Sequence, residues 1–227
     1  MECGLGLLNK PPAAVAETYK CDYFNDKKTE DYYKDSLKKF AYVKPYLNLE
    51  SRILDFGCAV GHFAGVCKNK GYSVAGFDIS EYAASQTATS YDIETKSGAL
   101  NKDLFAENYF DVITCFDVIE HIPNYIETLK IIKTWLKPGG HIFITTPDTE
   151  SWDAKILGKY WYGFTKIPQH ILYFNRNSLQ RILTETGFTN IKINQWGFVR
   201  SLGFWFKKSF PPYFYIPMVD MIVVAKK

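Results

Sequence analysis

The sequence predicts an α/β fold in which helices cover both faces of a mostly parallel sheet. Apolar runs rich in β-branched and aromatic residues alternate with segments whose apolar residues recur every three or four positions. That alternation is typical of parallel sheets, because the crossover between two parallel strands is usually a helix. A chain of 227 residues can form one large domain, or a domain with a small appendage.

The elements follow from these two periodicities, with caps and breaks at their ends. Ser80 is the expected N-cap of one helix and Asn177 or Ser178 of another, which Gly187 ends. The Pro-Gly-Gly run at 138–140 ends a third helix. In chain order, the predicted elements are helix Thr29–Leu47, strand Arg52–Phe56, helix Gly61–Lys70, strand Ser73–Phe77, helix Glu81–Thr89, strand Ile93–Lys96, strand Phe110–Phe116, helix Asn124–Leu136, strand His141–Thr146, helix Asn177–Glu185, and strands Ile191–Gln195 and Met218–Ala225.

Acidic residues end the first two strands of this pattern. Asp55 closes one apolar run and Asp78 closes the next, and ligands of open parallel sheets bind at those carboxyl ends. Gly57 and Gly61 permit a tight turn and a close approach of the backbone to a ligand. Asp78 stands where a carboxylate can accept both hydroxyls of a ribose. We therefore expect a nucleoside cofactor.

The same residues indicate which nucleoside binds. Gly57, Ala59 and Gly61 depart from the G-x-G-x-x-G spacing of dinucleotide sites, and the sequence has no phosphate-binding G-x-x-x-x-G-K-[ST] loop. Asp55, just before the turn, would repel a pyrophosphate and attract a cation. S-adenosylmethionine carries a sulfonium and an ammonium beside its adenosine, and it has no phosphate.

Four segments, in order, resemble the class I S-adenosylmethionine-dependent methyltransferases. They read I-L-D-F-G-C-A-V-G, G-F-D-I-S, F-D-V-I-T-C-F-D-V-I-E-H-I-P and L-K-P-G-G-H-I-F-I-T-T-P. The resemblance covers about residues 40 to 188 and the last strand. It implies a Rossmann-like, seven-stranded sheet, mostly parallel with an antiparallel last strand, and S-adenosyl-L-methionine as the cofactor.

The resemblance also implies which residues bind the cofactor. Asp55 and the backbone loop of residues 57–61 would hold the methionine end, and Asp78 the ribose, with Ile79 packed on the adenine. Ala99 stands where many relatives have an acid for the adenine amino group. The implied cofactor-binding residues are Asp55, Gly57, Cys58, Gly61, Asp78, Ile79, Ala99, Leu100, Phe116 and Asp117.

Two of the four histidines are candidates for the chemistry. Methyl transfer is an in-line displacement, so the protein must position the nucleophile, exclude water and remove a proton from a hydroxyl nucleophile. His121 follows a strand at the carboxyl edge, and His170 lies in an aromatic segment expected to cover that edge. We predict one of them as the catalytic base, and structural roles for His62 and His141.

A metal site is the alternative use of this region. Asp117, Glu120 and His121 are of ligand type, and some relatives that methylate quinone precursors hold a divalent ion with a comparable cluster. The prediction adopted is that no metal is bound. The same strand lacks the Asn-Pro-Pro-Tyr type of motif common in enzymes that methylate base nitrogens, which favours an oxygen or, secondarily, a carbon acceptor.

The domain prediction is a leader and N-terminal helix at 1–39 followed by the methyltransferase domain at 40–227. Within that domain, an aromatic and glycine-rich insertion at about 148–175 is expected to form a substrate lid. Trp161 and His170 belong to this lid, and both are predicted to contact the acceptor.

A second aromatic segment, at about 197–217, fits a substrate wall, a membrane-surface patch, a dimer contact or simple packing. The lid sequence resembles a subgroup of bacterial enzymes, many of which act on sugars, polysaccharide intermediates or natural products. A small-molecule or carbohydrate acceptor is therefore expected. A quinone or other lipophilic phenol, or a non-catalytic cofactor-binding subunit, remain the alternatives.

Composition narrows the class of partner. The net charge of +3 comes from scattered lysines, which argues against a nucleic-acid substrate. The five cysteines are unpatterned, as expected for reduced thiols in a cytoplasmic protein, and only Cys3 remains of a zinc-binding segment that the leader resembles. Neither a signal peptide nor a membrane span is predicted, and the sequence leaves the oligomeric state open.

Overall fold

A seven-stranded sheet forms the centre of the computed structural model, which describes residues 5–7, 29–167, 169–201 and 215–227. Numbered in chain order, the elements are β1 (Gly6–Leu7), α1 (Thr29–Val43), β2 (Arg52–Phe56), α2 (His62–Asn69), β3 (Ser73–Asp78), α3 (Glu81–Tyr91), β4 (Glu94–Ser97), β5 (Phe110–Phe116), α4 (Tyr125–Trp135), β6 (Leu136–Pro147), α5 (Trp152–Leu157), α6 (Tyr162–Thr165), β7 (Leu172–Tyr173), α7 (Arg176–Glu185), β8 (Thr189–Ser201) and β9 (Tyr215–Lys226).

The strand order is β4-β3-β2-β5-β6-β9-β8, and only β9 runs antiparallel to its neighbours. This confirms the predicted mostly parallel sheet with an antiparallel last strand. The chain builds outward from β2 to β4 and then returns to place β5 on the other side of β2. That reversal opens a crevice at the carboxyl ends of β2 and β5, where ligands of such sheets bind.

Two hydrophobic cores lie on the two faces of this sheet. Neighbouring strand residues alternate between them: Ile53 packs in one core and Leu54 in the other. The first core includes residues of α1 and α2, and the second includes residues of α4 and α7. Continuous apolar strands are expected in such a sheet, because each of its faces is covered.

Two details of the sequence prediction were wrong. Strand β6 begins at Leu136 directly after α4, so the Pro-Gly-Gly run lies within an irregular strand whose register shifts opposite β5. Asn175, rather than Asn177 or Ser178, caps α7. Its side chain accepts from the Ser178 N–H at 2.8 Å, and the Ser178 hydroxyl accepts from the Asn175 N–H at 3.0 Å. This reciprocal capping box closes the first turn of the helix.

The insertion after β6 contains α5, α6 and β7, and β7 pairs with β1 from the N-terminal leader. The predicted boundary at residues 39 and 40 falls inside α1, and most of the aromatic segment at 197–217 lies outside the described residues. No helix within the described ranges has the length and apolarity needed to cross a membrane. The described cysteines, Cys58, Cys67 and Cys115, are buried and form no disulfide bond.

Candidate cofactor and acceptor site

The loop between β2 and α2 directs its own N–H groups into the protein. Those of Gly57 and Cys58 donate to the Phe77 carbonyl, at 2.7 and 3.0 Å. That of Ala59 donates to Asp78 Oδ2 at 2.8 Å. A phosphate needs such N–H donors, and here they are already engaged.

Asp55 fills the position at which a dinucleotide-binding fold would hold a pyrophosphate. Its carboxylate accepts a backbone hydrogen bond from Ala64 in the first turn of α2, and Oδ1 accepts from Thr114 Oγ1 at 2.9 Å. Burial raises the pKa of Asp55 to about 6, against the opposing effects of Thr114 and Lys39. A protein carboxylate at a helix N-terminus excludes a phosphate there. The loop therefore fits a phosphate-free, positively charged nucleoside.

Tight packing explains the glycines of this loop. Gly57 has φ 80°, and a Cβ there would lie 2.3 Å from Val118 Cγ2. Gly61 has φ 85°, and a Cβ there would lie 2.8 Å from Thr87 Oγ1. Ala59 between them is also in the left-handed region, at φ 49°, where an L-residue is strained. Backbone strain of this kind concentrates at functional sites.

The tip of β3 supplies the other half of the cofactor site. Asp78 is buried, with Oδ2 bonded to Ala59 and Oδ1 accepting the Ser80 N–H at 2.9 Å. Its carboxylate is thus a buried hydrogen-bond acceptor at the carboxyl end of β3, the type of group that accepts ribose hydroxyls. Ile79 next to it is 43% exposed, which leaves an apolar surface for a base to cover. Ala99, after β4, is also exposed.

The floor of the crevice contains an ion pair that the sequence did not suggest. Lys39 Nζ lies 2.8 Å from Asp117 Oδ2 and 2.9 Å from Asp35 Oδ2, and 5.0 Å from the centre of the Phe116 ring. Burial opposes the charge of Lys39, but the two carboxylates outweigh it and raise the pKa of the ammonium. Asp117 Oδ1 also accepts from Thr145 Oγ1 at 2.7 Å.

Asp117 is held in an unusual conformation at this floor. It has φ 58°, and its side chain is 48% exposed although its partner Lys39 is buried. Desolvation works against ionisation of Asp117, but the charge and hydrogen bond of Lys39 outweigh it and lower the pKa of Asp117. The exposed carboxylate is thus ionised at the end of β5, beside Phe116, at the crevice where the cofactor is expected.

A sequence signal for Lys39 did exist. Ser36, Lys39, Phe40 and Val43 are all buried on α1, and their spacing of i, i+3, i+4 and i+7 is that of one helix face. A lysine on a buried stripe needs a partner, which makes it a candidate for a functional site.

His121 lies against His170 of the insertion after β6, with ring centres 4.9 Å apart. Nδ1 of His121 lies 2.7 Å from the Gln169 carbonyl, and Nδ1 of His170 lies 3.0 Å from the Gly163 carbonyl. A carbonyl can only accept, so these bonds assign the proton of each neutral ring to Nδ1. Nε2 is then the basic nitrogen of each ring, the atom type that can take a proton or bind a metal.

Glu120 completes what we name the acid–histidine cluster: Glu120, His121 and His170. One ligand atom from each lies within 4.8 Å of the others. Glu120 Oε2 accepts from Thr146 Oγ1 at 3.0 Å, and Oε1 lies 3.9 Å from His121 Nε2. Burial, followed by the charge of Asp117, raises the pKa of Glu120 to about 8.

The donors of this cluster are of the type that holds a divalent ion. The set differs from the metal alternative considered for the sequence, because His170 joins it while Asp117 is bonded to Lys39 and Thr145. Only the fold brings His170 to His121, since the two are separated along the chain by β6, α5 and α6.

Trp161 and the other two histidines lie outside the acid–histidine cluster. Trp161 is buried in the lid, where its Nε1 donates to Asp153 Oδ2 at 3.1 Å, so its predicted contact with the acceptor stays a prediction. His141 packs at the opposite edge of the sheet against the Tyr46 ring, with centres 4.9 Å apart. His62 stacks on Tyr32 at 6.0 Å.

Known proteins share sequence and fold with this chain. The family described as "Methyltransferase domain" matches residues 26–193. A ubiquinone biosynthesis O-methyltransferase of Yersinia pestis (strain Pestoides F) is 30% identical over 118 residues, which cover 48% of this chain and 48% of that protein. The chain thus spans about half the length of the curated relatives it matches.

Solved structures share the fold at low sequence identity. A SAM-dependent methyltransferase from Archaeoglobus fulgidus superposes with a TM-score of 0.67 at 19% identity, covering 92% of this chain and 100% of that one. Phosphoethanolamine N-methyltransferase 2 of Haemonchus contortus, in complex with S-adenosyl-L-methionine, gives 0.65 at 17% identity, covering 95% and 60%. The chain belongs to the methyltransferase family.

Proposed function

We propose that this enzyme transfers a methyl group to a hydroxyl oxygen of a small-molecule or carbohydrate acceptor, with His121 as the base. The observation that carries the proposal is the bond from His121 Nδ1–H to the Gln169 carbonyl, at 2.7 Å. It assigns the proton to Nδ1 and makes Nε2 the basic nitrogen of a partly buried histidine at the carboxyl edge of the sheet. The cofactor, when bound, supplies an electrophilic methyl group on a sulfonium.

The crevice residues would hold the cofactor in the roles that the family resemblance implies. Asp55 and the loop at 57–61 would hold its methionine end, and Asp78 would accept its ribose hydroxyls. Ile79, Ala99 and Leu100 would border the adenine, while Phe116 and Asp117 would lie beneath. The engaged N–H groups of the loop, and the buried carboxylate of Asp78 at the end of β3, support these roles.

His121 would take the proton of the acceptor hydroxyl at Nε2 as the oxygen attacks. The Gln169 carbonyl orients the ring and stabilises the imidazolium through its Nδ1–H. Glu120 Oε1 lies 3.9 Å from Nε2, and because burial raises the pKa of Glu120 to about 8, a positive charge that forms on His121 also favours ionisation of this carboxyl group. A hydroxyl has a high pKa, so a positioned base matters more here than for a neutral amine.

His170 is the weaker candidate for the base and the better candidate for positioning. Burial, followed by the charge of His121, lowers the pKa of His170 to about 3. At neutral pH this ring cannot retain a proton taken from an acceptor. The His170 ring remains neutral and fixed next to His121, and its Nε2 can accept a hydrogen bond from a hydroxyl of the methyl acceptor.

Substitution of the base tests the proposal. We expect His121→Ala to reduce kcat with a hydroxyl acceptor by about 100-fold or more, within the usual range for loss of a general base. Its affinity for S-adenosylhomocysteine, measured by calorimetry, should stay within about two-fold of wild type. Turnover is followed by transfer of labelled methyl groups to pooled hydroxylated acceptors, because the acceptor must first be found.

His141→Ala is the matched control, since that histidine lies at the opposite edge of the sheet against Tyr46. It should leave turnover unchanged. A His121→Ala enzyme that retains wild-type turnover would remove His121 from the mechanism. Transfer to amines but to no hydroxyl compound would contradict the oxygen acceptor.

A lipophilic phenol such as a quinone precursor is the second candidate for the acceptor. It is favoured by the partial match to the ubiquinone biosynthesis O-methyltransferase, at 30% identity over about half of each chain. Co-sedimentation with lipid vesicles and transfer to catechol separate this reading from a carbohydrate acceptor, which requires neither.

A further inference from the structure

Two buried carboxylates lie near the acid–histidine cluster without a part in the proposed chemistry. Asp153, in the first turn of α5, is 1% exposed. Its Oδ2 accepts from Trp161 Nε1 at 3.1 Å and from the Val219 N–H at 3.3 Å. Its Oδ1 is buried and has no hydrogen-bond partner. A bare buried carboxylate oxygen is costly, and therefore points to a missing donor.

Asp220 lies on β9 beside this carboxylate. It pairs with Pro147, the last residue of β6, and so stands at the carboxyl edge of the sheet where the acceptor is expected. Asp153 accepts from the N–H of the preceding residue, Val219, and so lies at the same part of β9. Burial, followed by the charges of Asp117 and Glu120, raises the pKa of Asp220 well above its ordinary value.

The region has more carboxylates than cations. Asp220 interacts electrostatically with Asp117, Glu120 and Asp153, and with one cation, Lys39. Lys39 is already bonded to Asp117 and to Asp35. Across the described ranges, no ion pair includes Asp153 or Asp220.

We propose that Asp153 and Asp220 form a subsite for a cationic amino group of the methyl acceptor. The inference rests on the proposed function and adds that the hydroxylated acceptor carries an amine, as an amino sugar or amino alcohol does. An ammonium supplies the donor that Asp153 Oδ1 lacks, and as a cation beside Asp220 it favours the ionised form of that carboxyl group, which burial and the neighbouring carboxylates oppose. A neutral hydroxyl supplies the donor alone, and charge-assisted hydrogen bonds are the stronger kind.

A matched pair of probes tests the subsite. The cation trans-2-aminocyclohexanol and the neutral trans-1,2-cyclohexanediol have nearly the same shape, and both carry a hydroxyl for His121. Each is titrated by NMR at pH 7.5, with and without saturating S-adenosylhomocysteine. We expect the amino alcohol to bind at least about ten-fold more tightly than the diol. Asp153→Asn and Asp220→Asn should each reduce that preference to about two-fold or less.

Asp111→Asn is the control, because Asp111 is paired with Lys137 on the surface at the start of β5. It should keep the preference. Equal binding of the two probes by the wild-type protein overturns the inference, as does a preference that both variants retain, or binding of neither probe. The wild-type comparison needs no substitution. Failure to bind S-adenosylhomocysteine would refute the proposed function alone, because the preference is also measured without it.

Discussion

Asp78 gives the sharpest test of the cofactor site, because its carboxylate stabilises the fold through two hydrogen bonds and is also proposed to bind the cofactor. The residue is 8% exposed. Oδ2 accepts the Ala59 N–H at 2.8 Å and Oδ1 accepts the Ser80 N–H at 2.9 Å. The first bond holds the strained loop after β2, and the second fixes the residue that caps α3. The same carboxylate is the proposed acceptor for the ribose hydroxyls.

Two substitutions separate these two roles. Asp78→Ala leaves two buried N–H groups unpaired, at about 1–3 kcal/mol each, so the free energy of unfolding should fall by about 2–6 kcal/mol. Asp78→Asn keeps one oxygen and the shape, so the loss should be about 1–2 kcal/mol. Both variants lose the charged acceptor for the ribose, and S-adenosylhomocysteine should bind about 10- to 100-fold more weakly to each.

Calorimetric titration measures the affinity, and urea unfolding without ligand measures the stability. Asp92→Asn is the matched control, because Asp92 is fully exposed in a left-handed turn that asparagine also tolerates. It should change neither quantity appreciably. Wild-type affinity in Asp78→Asn would refute a ribose contact. An Asp78→Ala protein as stable as wild type would show that the two N–H bonds do not stabilise the loop.

Three further outcomes are expected from the same crevice. Ala59→Gly removes a Cβ at φ 49° and should raise the unfolding free energy by about 0.5–1 kcal/mol in urea denaturation; a clear decrease would contradict the strain. Glu120 has a folded-state pKa of about 8, raised from 4.5, so its stabilising contribution is full below pH 4.5 and is lost as pH rises through 8. Glu120→Gln should therefore flatten the fall in stability over that window, on the order of 2 kcal/mol, in unfolding curves recorded at several pH values. Treatment with a chelator should leave turnover unchanged, because a metal on Nε2 of His121 would occupy the proposed base; loss of turnover that Mg²⁺ or Zn²⁺ restores would assign the acid–histidine cluster to a metal.

The fold could be predicted wherever one local pattern decides the structure. Strands Arg52–Phe56 and Phe110–Phe116 have the predicted bounds, because strands buried on both faces are continuous apolar runs bounded by polar residues. The cap of α7 could not be chosen from sequence, since Asn175, Asn177 and Ser178 are all good caps. The reciprocal bonds between Asn175 and Ser178 settle the choice.

The site divides in the same way. Asp55 and Asp78 follow their strands directly, so sequence could locate both acids at one edge of the sheet. The pairing of His121 with His170 depends on how the lid folds back, and their tautomers depend on the Gln169 and Gly163 carbonyls. Asp153 gave no signal, whereas Asp220 is the lone charge in the apolar run of β9 and could have been noticed.

The two histidines need different charge states for the proposed reaction to proceed. Methyl transfer consumes the positive charge of the sulfonium, and His121 gains a positive charge with the acceptor proton, so the total charge of the crevice is conserved. A second imidazolium 4.9 Å away would oppose that proton transfer. With its pKa at about 3, His170 stays neutral throughout the physiological range, and Glu120, whose pKa is raised to about 8, is mostly protonated at neutral pH and lies 3.9 Å from His121. Burial of His170 therefore favours proton uptake by His121, and an exposed His170 would make that proton uptake less favourable.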